Sequence, residues 1–280
     1  MGTKVAVVIL NYLHHHDTIS CLSSLFKSDL PSSSQVICVD NSPNGDSLIA
    51  IKKAYPGIQL IKSDKNLGFA GGNNLGIKSA LKLGADYILI INPDVTVGRS
   101  FFGPLLSVFS KSPKVGLVAP AIRHYQNDQL FFGLEGYVDW RFAAAKHINL
   151  RQLSSKKLRA SQFVTFACVL IKSEIFQKVG FLDEGYFMYL EDVDYCLAAG
   201  KAGYKIYLNP KVVVRHRTSS SFKRATDKLS VSFKSQVRFI SKWLTFPRNI
   251  IPLFYTILFY PYLYFLWTYF DFKKRLLAVK

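Results

Sequence analysis

The sequence predicts an α/β fold with a mostly parallel central sheet, helices on both faces, and C-terminal helices of a different character. Three observations predict it. Short apolar runs, each brief enough for a buried parallel strand, recur at Val5–Leu10, Gln35–Asp40, Ile58–Lys62 and Tyr87–Asn92. Between them lie helical signals of about ten residues, the alternation that crossover helices impose on parallel strands. Beyond Thr218 the composition changes, first to a basic amphipathic stretch and then to an uncharged aromatic one.

Taken in order, Val5–Leu10 ends at Asn11 without a small-residue cleavage site. It therefore reads as a first strand and not as a secretory signal, which leaves the protein in the cytoplasm. Asp17 can cap a helix whose inward face would be Ile19, Leu22, Leu25 and Phe26. Further helices are expected at Ser47–Tyr55 and from Asn73 to Leu83, the second closed by Gly84. Val115–Leu170 is mixed, and its polar, aromatic stretch His124–Asn149 reads as insertions over a site. Helices at Glu174–Val179 and Asp192–Ala202 follow, then strands at Tyr204–Leu208 and Val212–Arg217. A last amphipathic helix carries Phe233, Val237, Ile240 and Trp243.

With 280 residues, 49% of them hydrophobic, the chain can bury a sizeable core, and its mean hydropathy of +0.15 argues against disorder. The net charge of +18 is unevenly spread. Tyr195–Lys280 holds 16 Lys/Arg against Asp227 and Asp271 alone, whereas Met1–Asp194 is close to balance. Such asymmetry suggests a catalytic body followed by a segment that meets an anionic surface. Cys21, Cys38, Cys168 and Cys196 lack disulfide or zinc spacing and read as small buried hydrophobes.

Ligands of open parallel sheets bind beyond the carboxyl ends of the strands, which gives Asn11, Asp40 and Asn92–Asp94 a common location. Asp40, before the turn Asn-Ser-Pro-Asn-Gly, can accept the N3–H of a pyrimidine base or merely cap the turn. The run Asn66-Leu-Gly-Phe-Ala-Gly-Gly-Asn-Asn-Leu-Gly76 allows a phosphate or ribose to approach a helix N-terminus, although it lacks dinucleotide-site spacing. Asp94 can hold a hard divalent cation or form a turn with Pro93. Glu191, Asp192 and Asp194 crowd three acids into four positions. They fit either a general base tuned by its neighbours or a solvated helix start. His216 can complete a metal site or be structural, and His14–His16 is a poor metal site because few acids lie near it.

The order of these pieces is more specific than any one of them. Asn11-Tyr12, Val39-Asp40-Asn41-Ser42, the Asn66–Gly76 run, Asn92-Pro-Asp-Val95, the block Phe181–Tyr195 and the later His216 together resemble the inverting glycosyltransferase family 2, in its rhamnosyltransferase-like branch. The resemblance runs from about Val5 to Ser221. It implies a GT-A fold, that is, a Rossmann-like α/β sheet. It further implies that Asp40 binds the base of a nucleotide-sugar donor. Asn66, Gly68, Phe69, Asn73 and Asn74 would line its ribose and phosphates, with Asn11 and Asn92 on the same side. Asp94 and His216 would hold Mn2+ or Mg2+, and Asp192 would be the catalytic base. Glu191 and Asp194 would shape the environment of that base and the acceptor site. Three positions depart from the family pattern: Asn92 replaces the first Asp of an Asp-x-Asp motif, Phe166 a Gly, and Ala198 an Arg. The first choice of donor is dTDP-rhamnose and the second a UDP-sugar.

Residues 1–221 would then be the catalytic domain and 222–280 a helical membrane-association region. Ile250–Phe270 is uncharged and long enough to span a bilayer. However, Pro252 and Pro261 are expected to break it, and its aromatics (Tyr255, Tyr260, Tyr262, Tyr264, Trp267, Tyr269) favour the headgroup layer. An interfacial or re-entrant anchor is therefore preferred, with the basic residues of Lys223–Lys242 on anionic lipid. An enzyme so placed, peripheral or monotopic on the cytoplasmic face of a bacterial inner membrane, would act on a lipid-linked saccharide acceptor in surface polysaccharide synthesis. A nucleic-acid partner is disfavoured, because the acidic block serves no purpose there and no binding motif is present. The remaining alternatives are a UDP-dependent transferase of another sugar and a non-catalytic basic protein on membrane or nucleic acid.

Overall fold

The computed structural model describes residues 2–126, 129–151, 155–217 and 225–278. The expected domain boundary at 221/222 lies outside the described residues, as do Lys223 and Lys280. The N-terminal part alternates strand and helix as predicted: β1 (Val5–Asn11), α1 (His15–Phe26), β2 (Gln35–Asp40), α2 (Asp46–Ala54), β3 (Gln59–Lys62), α3 (Gly68–Lys82) and β4 (Tyr87–Ile91). Then follow β5 (Val95–Thr96), α4 (Phe102–Phe109), β6 (Val115–Gln126), β7 (Gln129–Asp139), β8 (Ala144–Leu150), β9 (Arg159–Ser161) and β10 (Cys168–Lys172). The chain ends with α5 (Glu174–Lys178), α6 (Glu191–Lys201), β11 (Lys205–His216), α7 (Ala225–Trp243) and α8 (Ile250–Ala278).

The central sheet has the order β3-β2-β1-β4-β10-β6-β11-β5, with β1 to β4 mutually parallel, β11 parallel to β6, and β10 reversed between β4 and β6. The chain leaves β1 on one side for β2 and β3, then returns to its other side for β4. This is the order reversal that opens a crevice at the strands' carboxyl ends. Strand alternation builds two cores. Val5, Val7 and Ile9 face one beside Leu22 and Leu25 of α1 and Phe102 and Leu105 of α4, while Ala6 and Val8 face the other beside Ala70 and Ile77 of α3. All four cysteines are buried and free, as expected.

Several elements differ from expectation for identifiable reasons. Helix α3 begins at Gly68, five residues before Asn73, so the glycine run is helix and not loop. Its glycines permit close packing: a Cβ on Gly72 would collide with Leu10 and one on Gly76 with Val8, both of β1. Phe26 points outward and stacks on Tyr55 at 5.3 Å, because the inward face of α1 is filled by Thr18, Cys21, Leu22 and Leu25. The two strands expected around 204–217 are one, β11, carrying an irregularity between Asn209 and Val213. The stretch 124–149 includes the antiparallel ribbon β7–β8.

Helix α8 is continuous. Pro252 lies in its first turn, where no intrahelical partner is lost, and Pro261 is accommodated inside it. Ile250–Thr268 is long and apolar enough to cross a membrane by length and composition. Ile251, Phe254, Ile257, Leu258, Tyr262 and Phe265 are exposed on it. Tyr260 is half-buried, its hydroxyl 3.0 Å from Ser232 Oγ of α7, whereas Tyr255 is exposed and lies 5.0 Å from the Phe142 ring. Helix α7 packs into the body, with Phe239 and Ile240 in the core.

Candidate active site

Three groups of polar side chains gather at the carboxyl end of the sheet. The first stands on β1 and β2, whose register pairs Asn11 with Asp40. Asp40 is fully buried. Its Oδ1 accepts from Asn11 Nδ2 (2.8 Å), the Ser42 amide (3.0 Å) and Ser42 Oγ (2.5 Å). Asn11 is itself fixed by Thr18, whose hydroxyl donates to Asn11 Oδ1 at 2.7 Å. Asp40 Oδ2 has no hydrogen-bond partner, and Lys62 Nζ stands 3.9 Å away. A buried acceptor left open in this way is costly unless a donor arrives. Oδ1 of the adjoining Asn41 and Oδ1 of Asn73 on α3 likewise lack a hydrogen-bond partner. Asn11 is thus a support for Asp40, while Asn41, Ser42 and Lys62 are additions to the expected set.

The Asn66–Asn74 segment differs from the expected donor cradle. Asn66 Oδ1 accepts from the Gly68 amide (2.9 Å), and Asn41 Nδ2 donates to the Gly68 carbonyl (2.9 Å). Gly68 has φ of +70°, and a Cβ there would strike the Phe187 carbonyl, so only glycine fits. The Phe69 amide donates to that same carbonyl at 2.6 Å. Asn73 donates within its own helix to the Phe69 carbonyl. Asn74 is fully committed: Nδ2 donates to the Leu182 carbonyl and Glu184 Oε1 (2.9 Å each), and Oδ1 accepts from the Leu182 amide (3.1 Å). Gly68 and Asn74 therefore brace the 182–187 segment and offer no free group to a ligand.

The second group is Asp94 and His216. Asn92 follows β4, and its amide donates to the Ala167 carbonyl at 2.8 Å. Short β5 pairs with the end of β11, placing His216 opposite Val95. His216 Nε2 thereby lies 3.1 Å from Asp94 Oδ1, both side chains being largely buried. One carboxylate oxygen and one imidazole nitrogen could hold a divalent cation, and their separation is close to the roughly 3 Å between adjacent donors on an octahedral ion. Among the described residues no third His, Cys, Asp or Glu joins them, so such a cation would take its other ligands from substrate and water. His15 and His16 stack on each other at 4.1 Å in the first turn of α1 and belong to no metal cluster.

The third group opens α6. Two consecutive non-glycine residues, Tyr189 (φ +72°) and Leu190 (φ +69°), adopt the left-handed conformation immediately before Glu191, a strain typical of functional turns. Glu191 is buried and its Oε2 lacks a partner. Burial, then the charges of Asp192 and Asp194, pushes its carboxyl up from the usual range. Asp192 is half-buried; burial raises it too, opposed by His147 of β8 and by the Val193 amide (2.8 Å) and Phe166 amide (3.4 Å). Phe166 adjoins Ala167, the partner of Asn92, and β10 runs antiparallel to β4, so Asp192 and Asp94 lie at the same end of the sheet. Phe166 itself is buried edge-on to Tyr195, with ring centroids 6.0 Å apart. Asp194, expected at the acceptor, is instead consumed internally: it is 2% exposed and accepts from Lys242 Nζ (2.7 Å), Trp243 Nε1 (2.8 Å) and Tyr186 OH (3.3 Å).

The family described as "Glycosyltransferase like family 2" matches residues 3–237. The chain belongs to that family. This family 2 glycosyltransferase is 25% identical over 229 residues to the N-acetylglucosaminyl-diphospho-decaprenol L-rhamnosyltransferase of Mycobacterium tuberculosis, covering 74% of each chain. It is 23% identical to the dTDP-rhamnosyl transferase RfbF of Shigella flexneri, over 77% of this chain and 70% of that one. The low-salt glycan biosynthesis hexosyltransferase Agl10 of Haloferax volcanii is also 23% identical, over 92% of this chain and 81% of its own. These relatives place the glycosyltransferase in the rhamnosyltransferase-like branch. Its fold matches the crystal structure of GalNAc-T7 with UDP, GalNAc and Mn2+ at a TM-score of 0.65 and 17% identity. That match covers 86% of this chain and about half (48%) of the other. The expected GT-A architecture is therefore the one present.

Proposed function

We propose that this enzyme transfers rhamnose from dTDP-rhamnose, with inversion, to a hydroxyl of a lipid-linked saccharide in bacterial surface polysaccharide synthesis. The observation that carries the reading is the shared sheet end: the Asp94–His216 pair, 3.1 Å apart, opens onto the same edge as Asp192. Asp40 Oδ2, buried and without a hydrogen bond, is suited to accept the N3–H of thymine or uracil, which supports a pyrimidine nucleotide as donor. Asp94 and His216 would hold Mn2+ or Mg2+. When bound, the cation offsets charge that develops on the departing diphosphate. Asp192 takes the proton of the attacking hydroxyl, and its raised affinity for a proton strengthens it as a base. Attack from the side opposite the diphosphate inverts the anomeric carbon.

The lipid-linked acceptor is supported by the name of the mycobacterial relative and by the exposed apolar face of α8. An enzyme held at the cytoplasmic face of the inner membrane, peripheral or monotopic, meets that acceptor where its saccharide end is reachable. Not all of the basic residues of α7 can serve lipid. Arg238 Nη2 pairs with Asp183 at 2.6 Å, and Lys242 with Asp183 (2.9 Å) and Asp194.

The test is a donor screen with a polyprenyl diphosphate saccharide acceptor, with Mn2+, Mg2+ or chelator, reading the product's anomeric configuration by NMR. The expected result is cation-dependent transfer from dTDP-rhamnose with inversion. Transfer from a UDP-sugar alone would replace the donor, and retention would overturn the mechanism.

A further inference from the structure

We infer that α7 is a strut that positions the base, and that Trp243, Lys242 and Ser235 are positioning residues for sugar transfer. The inference rests on Asp192 acting as the base, and it concerns residues mostly outside the 3–237 stretch that the family match covers.

Helix α6 begins without a side-chain cap, at a left-handed Leu190, and its first turn has the Asp194 amide bond to the Leu190 carbonyl, the Val193 amide bond to Asp192 and the longer Phe166 contact to hold it. Further support comes from α7. Ser235 Oγ donates to the Met188 carbonyl at 2.8 Å, immediately before the two left-handed residues. Two positions after the base, Asp194 is fixed by Trp243 Nε1 at 2.8 Å and Lys242 Nζ at 2.7 Å. At the other end of the segment, Asp183 is gripped by Arg238 Nη2 (2.6 Å) and again by Lys242 (2.9 Å). Arg238 and Lys242 are one helical turn apart and lie on one face of α7. The stretch 183–194, which contains the strained turn and the base, is thus pinned at its start, middle and end to a single helix. A strained turn persists only where its surroundings over-determine it. The same helix docks on α8 through Ser232 and Phe233 against Tyr260, so the exposed apolar helix and the base share one support.

The test compares full-length Trp243→Phe, Lys242→Met, Lys242→Arg and Ser235→Ala with the wild type. The readouts are kcat, donor KM and thermal midpoint. Trp243→Phe removes one N–H but keeps an aromatic ring beside Phe239. We expect Trp243→Phe and Lys242→Met to lower kcat by about 10- to 100-fold, the scale of a small displacement of a reacting group. Donor KM should stay within about twofold, since the hydrogen bonds from α7 described above go to the 183–194 stretch. Lys242→Arg should recover most of the kcat lost in Lys242→Met. Wild-type kcat in both Trp243→Phe and Lys242→Met would overturn the proposal. So would parallel losses of kcat, donor affinity and thermal midpoint, which mark general loosening. Should Asp192→Asn itself retain full turnover, the base assignment fails instead, and the two failures are distinguishable.

Discussion

The proposed donor and acceptor halves of the cleft are built differently. The proposed donor half hangs from neighbouring strand ends: Asn11 and Asp40 end β1 and β2 in register, and Asp94 lies in the turn that follows β4. The acceptor half is a segment held in place from far along the chain, with Asp194 reaching residues 48 and 49 positions away. A sheet places side chains by its own geometry, whereas a turn with positive φ at Tyr189 and Leu190 depends on what clamps it. The donor half should therefore respond to substitution locally, through one ligand or one base contact. The acceptor half should respond through position.

That contrast breaks most readily at the cation pair. Asp94→Asn and His216→Ala should each lower kcat by roughly 100-fold or more at limiting Mn2+, as loss of charge stabilisation on a leaving group does. High Mn2+ should rescue part of the loss, because the fault lies in one ligand; titrating rate against Mn2+ checks it. A rate independent of metal in the wild type would remove this half of the account.

A smaller effect is expected at the seam between the halves. Asn74→Ala removes three hydrogen bonds between α3 and Leu182–Glu184 and strands buried backbone groups. A loss of about 1–3 kcal/mol by denaturant unfolding follows. If the donor affinity of this variant fell while its stability did not, Asn74 would be a ligand residue after all.

The smallest effect concerns Glu191 and runs in the opposite direction. Its carboxyl is raised by burial and by neighbouring charge, so the folded state holds the proton more tightly than the unfolded chain does. The resulting destabilisation is absent below the unfolded pKa, grows as pH rises towards the raised folded value, and is complete above it. Glu191→Gln should accordingly raise the thermal midpoint at neutral pH, at about 2–4 °C per kcal/mol for a chain of this size, with no gain at low pH. For Asp192, also raised, the acid limb of kcat/KM should lie above the ordinary aspartate value of about 4.

The donor half was legible in the sequence because each residue there follows an apolar run, and the run, the strand end and the turn are all local signals. Asp40, Asp94 and His216 could be named on that basis, and Lys62 could have been, since it ends β3 opposite Asp40. The glycine run was misplaced by a few residues because glycines that admit a close helix–strand contact look the same as glycines that admit a phosphate. The partners of Asp194 were not legible, because they lie on α7 and no local spacing announces a contact with Lys242 or Trp243. The prolines of α8 misled for a simpler reason: Pro252 falls in the first turn, where it does no harm.

The most direct measurement is the single-turnover rate of sugar transfer by Asp192→Asn at saturating donor and acceptor. With general-base catalysis at this carboxylate, the rate should fall by about 100- to 10,000-fold while donor binding is retained. A rate within twofold of the wild type would contradict the central claim that Asp192 removes the acceptor's proton.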